Sequence, residues 1–136
     1  MFVVLWEIQI KNYVLNQIGS VFPFFRAHRH INYNNTDPFS MGQILYETSK
    51  KSILFRYKIL KYYYSIFIRK KIIGTIFKPL FFEFQNDDTL IQENIVNTQF
   101  MIGKDLLCIP NLNYSDHDFI IGYFPKGKNW FNLRKN

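Results

Sequence analysis

The chain has 136 residues, enough for one small domain with a core of its own, and 19% of them are aromatic. Its formal net charge is +7, which can mark binding to nucleic acid or an anionic membrane, but drift toward A+T-rich codons explains the abundant Lys, Asn and Ile more simply. The single cysteine, Cys108, excludes an internal disulfide framework and a zinc site of clustered cysteines.

The hydropathy of the chain predicts no membrane span. No uninterrupted apolar run reaches the ~18 residues that a spanning helix needs, and the longest candidate, residues 66–76, is broken by Arg69, Lys70 and Lys71. The first ten residues lack the basic start of a signal peptide, and Glu7 ends their apolar patch.

The first third of the chain predicts a helix, a strand and a loop. Residues 3–18 are dense in apolar side chains, and Gly19 is a typical helix stop. Residues 21–25 predict a buried strand interrupted by Pro23. Residues 26–38 have the polar, Asn-rich composition of a loop.

The middle third predicts one long helix over residues 43–71. An apolar face recurs at spacings of three and four residues: Ile53, Tyr57, Leu60, Tyr64 and Phe67. Polar residues occupy the other side: Lys51, Lys58, Lys61, Ser65 and Arg69. Gly74 then ends the helix, and the Phe-rich run 76–84 predicts a strand covered on both faces, as in a parallel sheet or a barrel.

The last third predicts short antiparallel strands. Residues 99–102, 106–109 and 119–124 have strand composition and are separated by turn-forming Gly and Pro residues. We therefore predict an α/β fold: the end of a (β/α)8 barrel (strand, long helix, strand) followed by the first antiparallel strands of a β-sandwich domain. The predicted domains are residues 1–88 and 89–136.

Five segments carry the most specific signal in the sequence. The first is Gln17-Ile18-Gly19-Ser20 leading into Phe22-Pro23-Phe24-Phe25-Arg26-Ala27-His28. The others are Phe55-Arg56-Tyr57 with Tyr62, Tyr64 and Phe67; Pro79-Leu80-Phe81-Phe82-Glu83-Phe84; Gln99-Phe100-Met101 with Gly103, Leu106, Leu107 and Pro110; and Tyr123-Phe124-Pro125 with Gly127, Trp130 and Phe131. In their order, and nearly in their spacing, these segments resemble the motifs of glycoside hydrolase family 31, the α-glucosidase family.

Three details depart from the family pattern. Lys61 stands where the family helix has Pro, Lys78 stands where the family strand has Arg, and the stretch 74–78 is one residue short. These positions affect local packing, so the departures bear on activity and not on descent.

The resemblance implies a C-terminal fragment of a retaining α-glucosidase. Such enzymes use two carboxyl groups roughly 5–5.5 Å apart, and in this family both are aspartates on segments that precede the part represented here. We therefore expect no catalytic residue in this chain. His28 matches the family histidine that hydrogen-bonds the sugar undergoing cleavage, and Arg26 matches a residue expected to hold the loop.

We expect no cofactor and no metal ion in this chain. His28 and His30 could ligate one metal ion from one face, but the sequence places no third ligand beside them. The rival interpretation is a non-catalytic structural or carbohydrate-binding remnant of such an enzyme. A small nucleic-acid-binding protein explains the charge and none of the five segments, so we expect no nucleic-acid partner.

Within the family, the run ending at His28 and followed by His30 is most similar to the catalytic α subunit of glucosidase II. That similarity implies an α-glucoside or a glucosylated N-glycan as substrate, with the rest of the barrel and a glucosidase II β subunit as partners. It also implies the endoplasmic reticulum lumen or another secretory compartment. The Asn-x-Ser/Thr sequons at Asn34 and Asn113 are compatible with that location.

The purified chain by itself should hydrolyse no aryl α-glucoside, because an oriented histidine cannot replace the missing pair of carboxylates. Release of the aryl group is the measurement, compared with the rate without protein. Hydrolysis above that rate, abolished by Asp37→Ala or Glu83→Ala, would contradict this expectation.

Overall fold

The computed structural model describes residues 1–5, 11–26, 28, 30–69, 74–91, 93–112 and 120–133. Two helices form the first half, α1 (Lys11–Gly19) and α2 (Gln43–Arg69), and a short helix α3 (Glu93–Val96) follows two 3₁₀ helices. The strands are β1 (Phe2–Leu5), β2 (Phe77–Lys78), β3 (Phe100–Ile102), β4 (Leu106–Ile109) and β5 (Phe131–Asn132). None of the described helices is long and apolar enough to cross a membrane.

The five strands form one mixed sheet in the order β2-β3-β4-β1-β5. β2, β3 and β4 are antiparallel, with Met101 opposite Leu107 in the central hairpin. β1 lies between β4 and β5 and is parallel to both. Its start is held at β5 by the ammonium group of Met1, which donates to the Asn129 carbonyl oxygen at 2.9 Å.

The β3–β4 hairpin separates two hydrophobic clusters. Side chains alternate between the faces of a strand, so neighbouring residues of β4 belong to different clusters. One cluster joins the hairpin to α2 and to the turn after α1: Val21, Ile59, Tyr63, Ile66, Ile102, Leu106 and Cys108. The other lies under the 3₁₀ helices and α3: Leu80, Leu90, Ile95, Met101, Leu107 and Ile109. All four residues of β4 are buried because both faces are covered.

The predictions for the first third are partly confirmed. The helix ends at Gly19 as predicted, but residues 2–5 form β1, and residues 6–10 lie outside the described part. The predicted strand over 21–25 is wrong. The amide of Val21 donates to the Ile18 carbonyl at 3.0 Å and that of Phe22 donates to Gly19 at 3.1 Å, so the chain continues as turns from α1. Pro23 has no amide hydrogen with which to continue a strand ladder.

The long helix is confirmed as far as Arg69, but the apolar face that the residue spacing defines is not the side that is buried. The buried residues are Leu45, Thr48, Ser49, Ser52, Ile59, Tyr63 and Ile66. On the apolar face, Tyr57 and Tyr64 are each 67% exposed. Because the helix is apolar on more than one side, the spacing of apolar residues does not decide which side packs against the sheet. The small side chains Thr48, Ser49 and Ser52 lie on the side that is buried.

The predicted strand over 76–84 is wrong beyond its first residues. β2 ends at Lys78, and Leu80–Phe82 is a 3₁₀ helix that begins after Pro79. Proline cannot donate to a sheet ladder, so it ends the strand. Short antiparallel strands are confirmed at β3 and β4.

The predicted strand over 119–124 is not present in its described residues, 120–124. Instead, the Gln99 side chain pairs with this segment. Its Nε2 donates to the Tyr123 carbonyl oxygen at 2.8 Å, and its Oε1 accepts from the Tyr123 amide at 2.7 Å. β5 was not predicted, because it contains only two residues.

Gly103 should tolerate substitution less well than Gly127. Both have positive φ, 62° and 78°, where an alanine costs about 1 kcal/mol of backbone strain. A Cβ at Gly103 would also lie 2.5 Å from the Tyr62 hydroxyl oxygen, whereas nothing lies within 4 Å at Gly127. Gly103→Ala should therefore destabilise the chain at least twice as much as Gly127→Ala.

Pulse proteolysis in increasing urea measures this difference in stability between the two variants. The intact chain is followed as its own gel band, so the measurement also works when the chain is associated with another protein. Equal midpoints for the two variants would contradict the close approach of Tyr62 to the hairpin turn.

Candidate functional site

The candidate site begins at the turn that follows α1. Ser20 donates through Oγ to the Gln17 carbonyl oxygen at 2.6 Å, closing the end of the helix. A Cβ at Gly19 would lie 2.2 Å from the Phe25 ring, so only glycine lets this ring cover the helix end. The turn is therefore folded back on α1 before the chain reaches Arg26 and His28.

The guanidinium group of Arg56 on α2 binds three carbonyl oxygens of this turn. Its Nη1 donates to the carbonyl oxygens of Ser20 at 3.1 Å and Phe22 at 2.6 Å, and its Nη2 donates to that of Pro23 at 3.0 Å. The Tyr63 hydroxyl donates to the remaining carbonyl oxygen, that of Val21. The planar guanidinium carries several donors in a fixed geometry, which suits a row of carbonyl oxygens.

Burial favours the protonated, hydrogen-bond-donating form of two tyrosines of α2, Tyr62 and Tyr63. Burial raises the pKa of Tyr63 well above its usual value, and it raises the pKa of Tyr62 to about 12. The Tyr62 hydroxyl donates to the Ile102 carbonyl oxygen at 2.9 Å and accepts from the Asp105 amide at 3.2 Å. One helix therefore holds both the turn after α1 and the β3–β4 hairpin.

Arg26, His28 and His30 follow the anchored turn and are exposed. His30 takes part in the loop: its Nδ1 accepts from the Asn32 amide at 3.3 Å, and its ring lies edge-on to Tyr33 with centroids 6.0 Å apart. In the described part of the chain, no three His, Cys, Asp or Glu side chains come together in a way that could hold a metal ion.

Two clefts lie near this region, and neither is lined by His28 or Arg26. A cleft of about 460 Å³ has Phe22, Phe77 and Phe100 in its wall. The Phe77 and Phe100 rings stack with centroids 4.1 Å apart. A second cleft of about 340 Å³ runs along α2 beside Tyr46 and Lys50.

Three of the described carboxylates are engaged in local structure. Glu83 forms an ion pair with the buried Lys78. Asp87 accepts from the Tyr123 hydroxyl at 2.7 Å, and this hydrogen bond lowers the pKa of the carboxyl. Asp37 accepts from the hydroxyl and amide of Ser40, which likewise lowers its pKa. These contacts stabilise local turns, and the lowered pKa of Asp37 and Asp87 is the opposite of the raised pKa that a general acid needs.

Sequence reasoning assigned no role to Arg56 or Gln99, although both stand in the recognised segments. A signal for Arg56 was available: it is spaced three and seven residues from Ile59 and Tyr63, on the face of α2 that is buried. The sequence held no such signal for Gln99, because its partner Tyr123 lies on a segment without regular secondary structure.

Comparison with known proteins decides the family. Residues 15–66 match the glycosyl hydrolase family 31 TIM-barrel domain, and residues 74–136 match the glycosyl hydrolase family 31 C-terminal domain. The chain belongs to glycosyl hydrolase family 31. It contains part of the barrel domain and part of the C-terminal domain, and the predicted boundary at residue 88 lies inside the second match.

The relatives are α-glucosidases. Over 98 residues the chain is 39% identical to a lysosomal acid alpha-glucosidase of Tetrahymena pyriformis, covering 71% of this chain and 10% of the relative. Over 119 residues it is 33% identical to the mouse lysosomal alpha-glucosidase, covering 87% of this chain and 12% of the relative. Over 127 residues it is 31% identical to an alpha-glucosidase of Saccharolobus solfataricus, covering 93% and 17%. No solved structure gives a significant match.

These matches confirm that the chain is a glycoside hydrolase fragment related to α-glucosidases. It spans between 10% and 17% of the length of the relatives described.

Arg56→Ala should loosen the turn after α1. The change removes three charge-assisted hydrogen bonds, and we expect local stability to fall by about 2–3 kcal/mol. One hydrogen bond to a charged group contributes about 1.5–3 kcal/mol net, and solvent screening at this partly exposed site keeps the sum of the three well below three times that value. Amide hydrogen exchange of residues 20–22 is the measurement, since these amides close the turn. Lys58→Ala, an exposed change on the same helix, is the control. We call the hydrogen bonds from Arg56 and Tyr63 to the turn after α1 the clamp. Unchanged amide protection of residues 20–22 in Arg56→Ala would rule out the clamp.

Proposed function

We propose that this chain forms one wall of the sugar site of a family 31 α-glucosidase, an enzyme that hydrolyses O-glycosyl bonds of terminal α-glucose. The observation that carries the proposal is the clamp of Arg56 and Tyr63 on the turn that leads to His28. A loop held at its root can present an exposed side chain to a substrate in one orientation.

In this proposal His28 binds the sugar undergoing cleavage. An imidazole can both donate and accept a hydrogen bond, so it distinguishes one hydroxyl orientation from another. Arg26 supports the loop between the clamp and His28. His30, whose Nδ1 is occupied by the Asn32 amide, stabilises the loop and does not bind the substrate.

We propose that the two catalytic carboxyl groups lie elsewhere in the enzyme. A retaining mechanism needs a nucleophile and an acid/base group on opposite sides of the sugar bond, held roughly 5–5.5 Å apart. Both would come from barrel segments outside this sequence, so the rest of the barrel is the necessary partner of this chain. No cofactor is required, since the two carboxylates suffice for hydrolysis.

The exposed side of α2 supports a barrel partner. Ile53 and Phe67 are each 45% exposed, Tyr57 and Tyr64 are each 67% exposed, and together they form a stripe along the helix. A soluble helix that is apolar on more than one side is normally covered on more than one side. We propose that this stripe packs against other segments of the (β/α)8 barrel, and that the strands after it begin a β-sandwich domain. The isolated chain should associate through this stripe.

The substrate and compartment follow from the closer resemblance. We propose a glucosidase II-like enzyme that acts on an α-glucoside or a glucosylated N-glycan in the endoplasmic reticulum lumen or another secretory compartment, with a β subunit as partner. Two of the relatives are named as lysosomal enzymes, which supports a compartment reached through the secretory pathway.

A second candidate is a non-catalytic, carbohydrate-binding remnant of such an enzyme. The engagement of Asp37, Glu83 and Asp87 in local contacts favours it, because none of these carboxylates is available for catalysis. Turnover in the presence of the upstream barrel segment separates the two: a remnant binds sugar and restores no activity.

His28→Ala should lower kcat/KM for an aryl α-glucoside by about 10–100-fold when the chain is co-expressed with the upstream barrel segment of a related enzyme. The loss corresponds to a hydrogen bond that stabilises the transition state. His30→Ala, the matched control two residues away, should change kcat/KM by less than about threefold, because it affects only the loop. Equal losses in both variants would refute the assignment of His28.

A further inference from the structure

The loop before α2 contains an accessible acceptor sequence for N-linked glycosylation. Asn34-Asn35-Thr36 has the form Asn-x-Thr with x different from proline. The segment has no regular secondary structure, and both asparagines are exposed. A transferase that modifies asparagine needs such an exposed segment, because the glycan is too bulky for a packed position.

Two closed turns border this tripeptide. Before it, the Tyr33 amide donates to the His30 carbonyl oxygen at 3.1 Å. After it, Asp37 Oδ1 accepts from the amides of Phe39 and Ser40, each at 3.1 Å. The acceptor tripeptide therefore lies between two anchored points, outside every helix and strand, and α2 begins only at Gln43.

The loop also exposes an unusual amount of apolar surface close to the acceptor. Ile31 is 91% exposed, Tyr33 is 66% exposed and Phe39 is 79% exposed. A glycan is hydrophilic and large enough to shield neighbouring side chains, so a glycan here would keep this surface from associating.

We propose that Asn34 is an N-glycan acceptor. The proposal rests on the proposed secretory compartment and goes beyond the sugar site, since it concerns a sugar attached to the protein itself. The Asn34 amide nitrogen forms a bond with the anomeric carbon of a lipid-linked oligosaccharide diphosphate. The bond from that carbon to the diphosphate oxygen breaks, the lipid diphosphate leaves with the electron pair, and one amide proton passes to a base of the transferase.

The sequence contains a second sequon, at Asn113, with which Asn34 can be compared. Asn113-Tyr114-Ser115 lies outside the described residues; before it, Pro110 and Asn111 are buried and Leu112 is 41% exposed. Exposure of the acceptor asparagine is observed for Asn34, which is therefore the acceptor that we propose.

The test is translation of the full chain, preceded by a cleavable secretion signal, in the presence of microsomes. Protection from added protease shows that the chain has entered the lumen, and treatment with peptide N-glycosidase shows whether it carries a glycan. We expect a slower gel band that the glycosidase removes, with Asn34 converted to aspartate in the tryptic peptide. The band should be lost in Asn34→Gln and Thr36→Ala.

Two conservative changes serve as controls. Thr36→Ser keeps the acceptor sequence, and Asn35→Gln changes the adjacent exposed asparagine without touching it, so both variants should keep the slow band. A protease-protected chain without a glycan would overturn the proposal. A band that survives Asn34→Gln and disappears in Asn113→Gln would overturn it as well.

The result is independent of the sugar-site proposal. Failure of His28→Ala to affect turnover would leave the glycan map unchanged. If the native chain is recovered from a compartment outside the secretory pathway and is unmodified at Asn34, both the proposed compartment and the proposed modification are overturned. That result would not bear on His28, whose role in sugar binding is tested by the turnover measurement.

Discussion

The hydrogen bonds from α2 to the turn after α1 are the constraint on which the rest of the structure depends. The turn presents four successive carbonyl oxygens, from Ser20 to Pro23, toward the helix. Carbonyl oxygens only accept hydrogen bonds, so they cannot pair with one another, and burying them without donors is costly. Arg56 and Tyr63 supply those donors, so this turn has its observed shape only while α2 lies against it.

The same helix connects the two regions that match different domains of the family. The Tyr62 hydroxyl donates to the carbonyl oxygen of Ile102 at the end of β3 and accepts from the amide of Asp105 in the turn before β4. Val21, from the first matched region, belongs to one hydrophobic cluster with Ile102, from the second. Both apolar packing and hydrogen bonds therefore join the two matched regions. The hairpin turn has glycine, Gly103, at the position that the Tyr62 side chain approaches, because a Cβ there would clash with it.

Beyond the clamp, the loop depends on contacts among its own residues. His30 and Asp37 each accept backbone amides a few residues further along the chain, which gives the loop two local turns. Such short-range bonds hold a shape but bury little surface, so Ile31 and Phe39 stay exposed. The loop is thus held at its root and accessible at its surface, which is what the proposed role in a sugar site requires.

The elements determined by the sequence alone are those that depend on nearby residues. The long helix and its glycine-ended neighbour follow from residue spacing and from Gly19, and the β3–β4 hairpin follows from two short apolar runs around Gly103. The family was also accessible from sequence, because its segments are short and ordered along the chain. The predicted roles of His28 and Arg26 rest on that family resemblance and remain proposals.

The elements decided by tertiary structure depend on partners far away in the chain. α2 is apolar on several sides, and only the position of the sheet selects the side of Ile59 and Tyr63. β1 finds its place between β4 and β5 through pairing over about a hundred residues, a distance at which local patterns carry no information. The clamp of Arg56 arises in the same way: a helix supplies donors to carbonyl oxygens more than thirty residues earlier, and only the folded chain brings them within hydrogen-bonding distance.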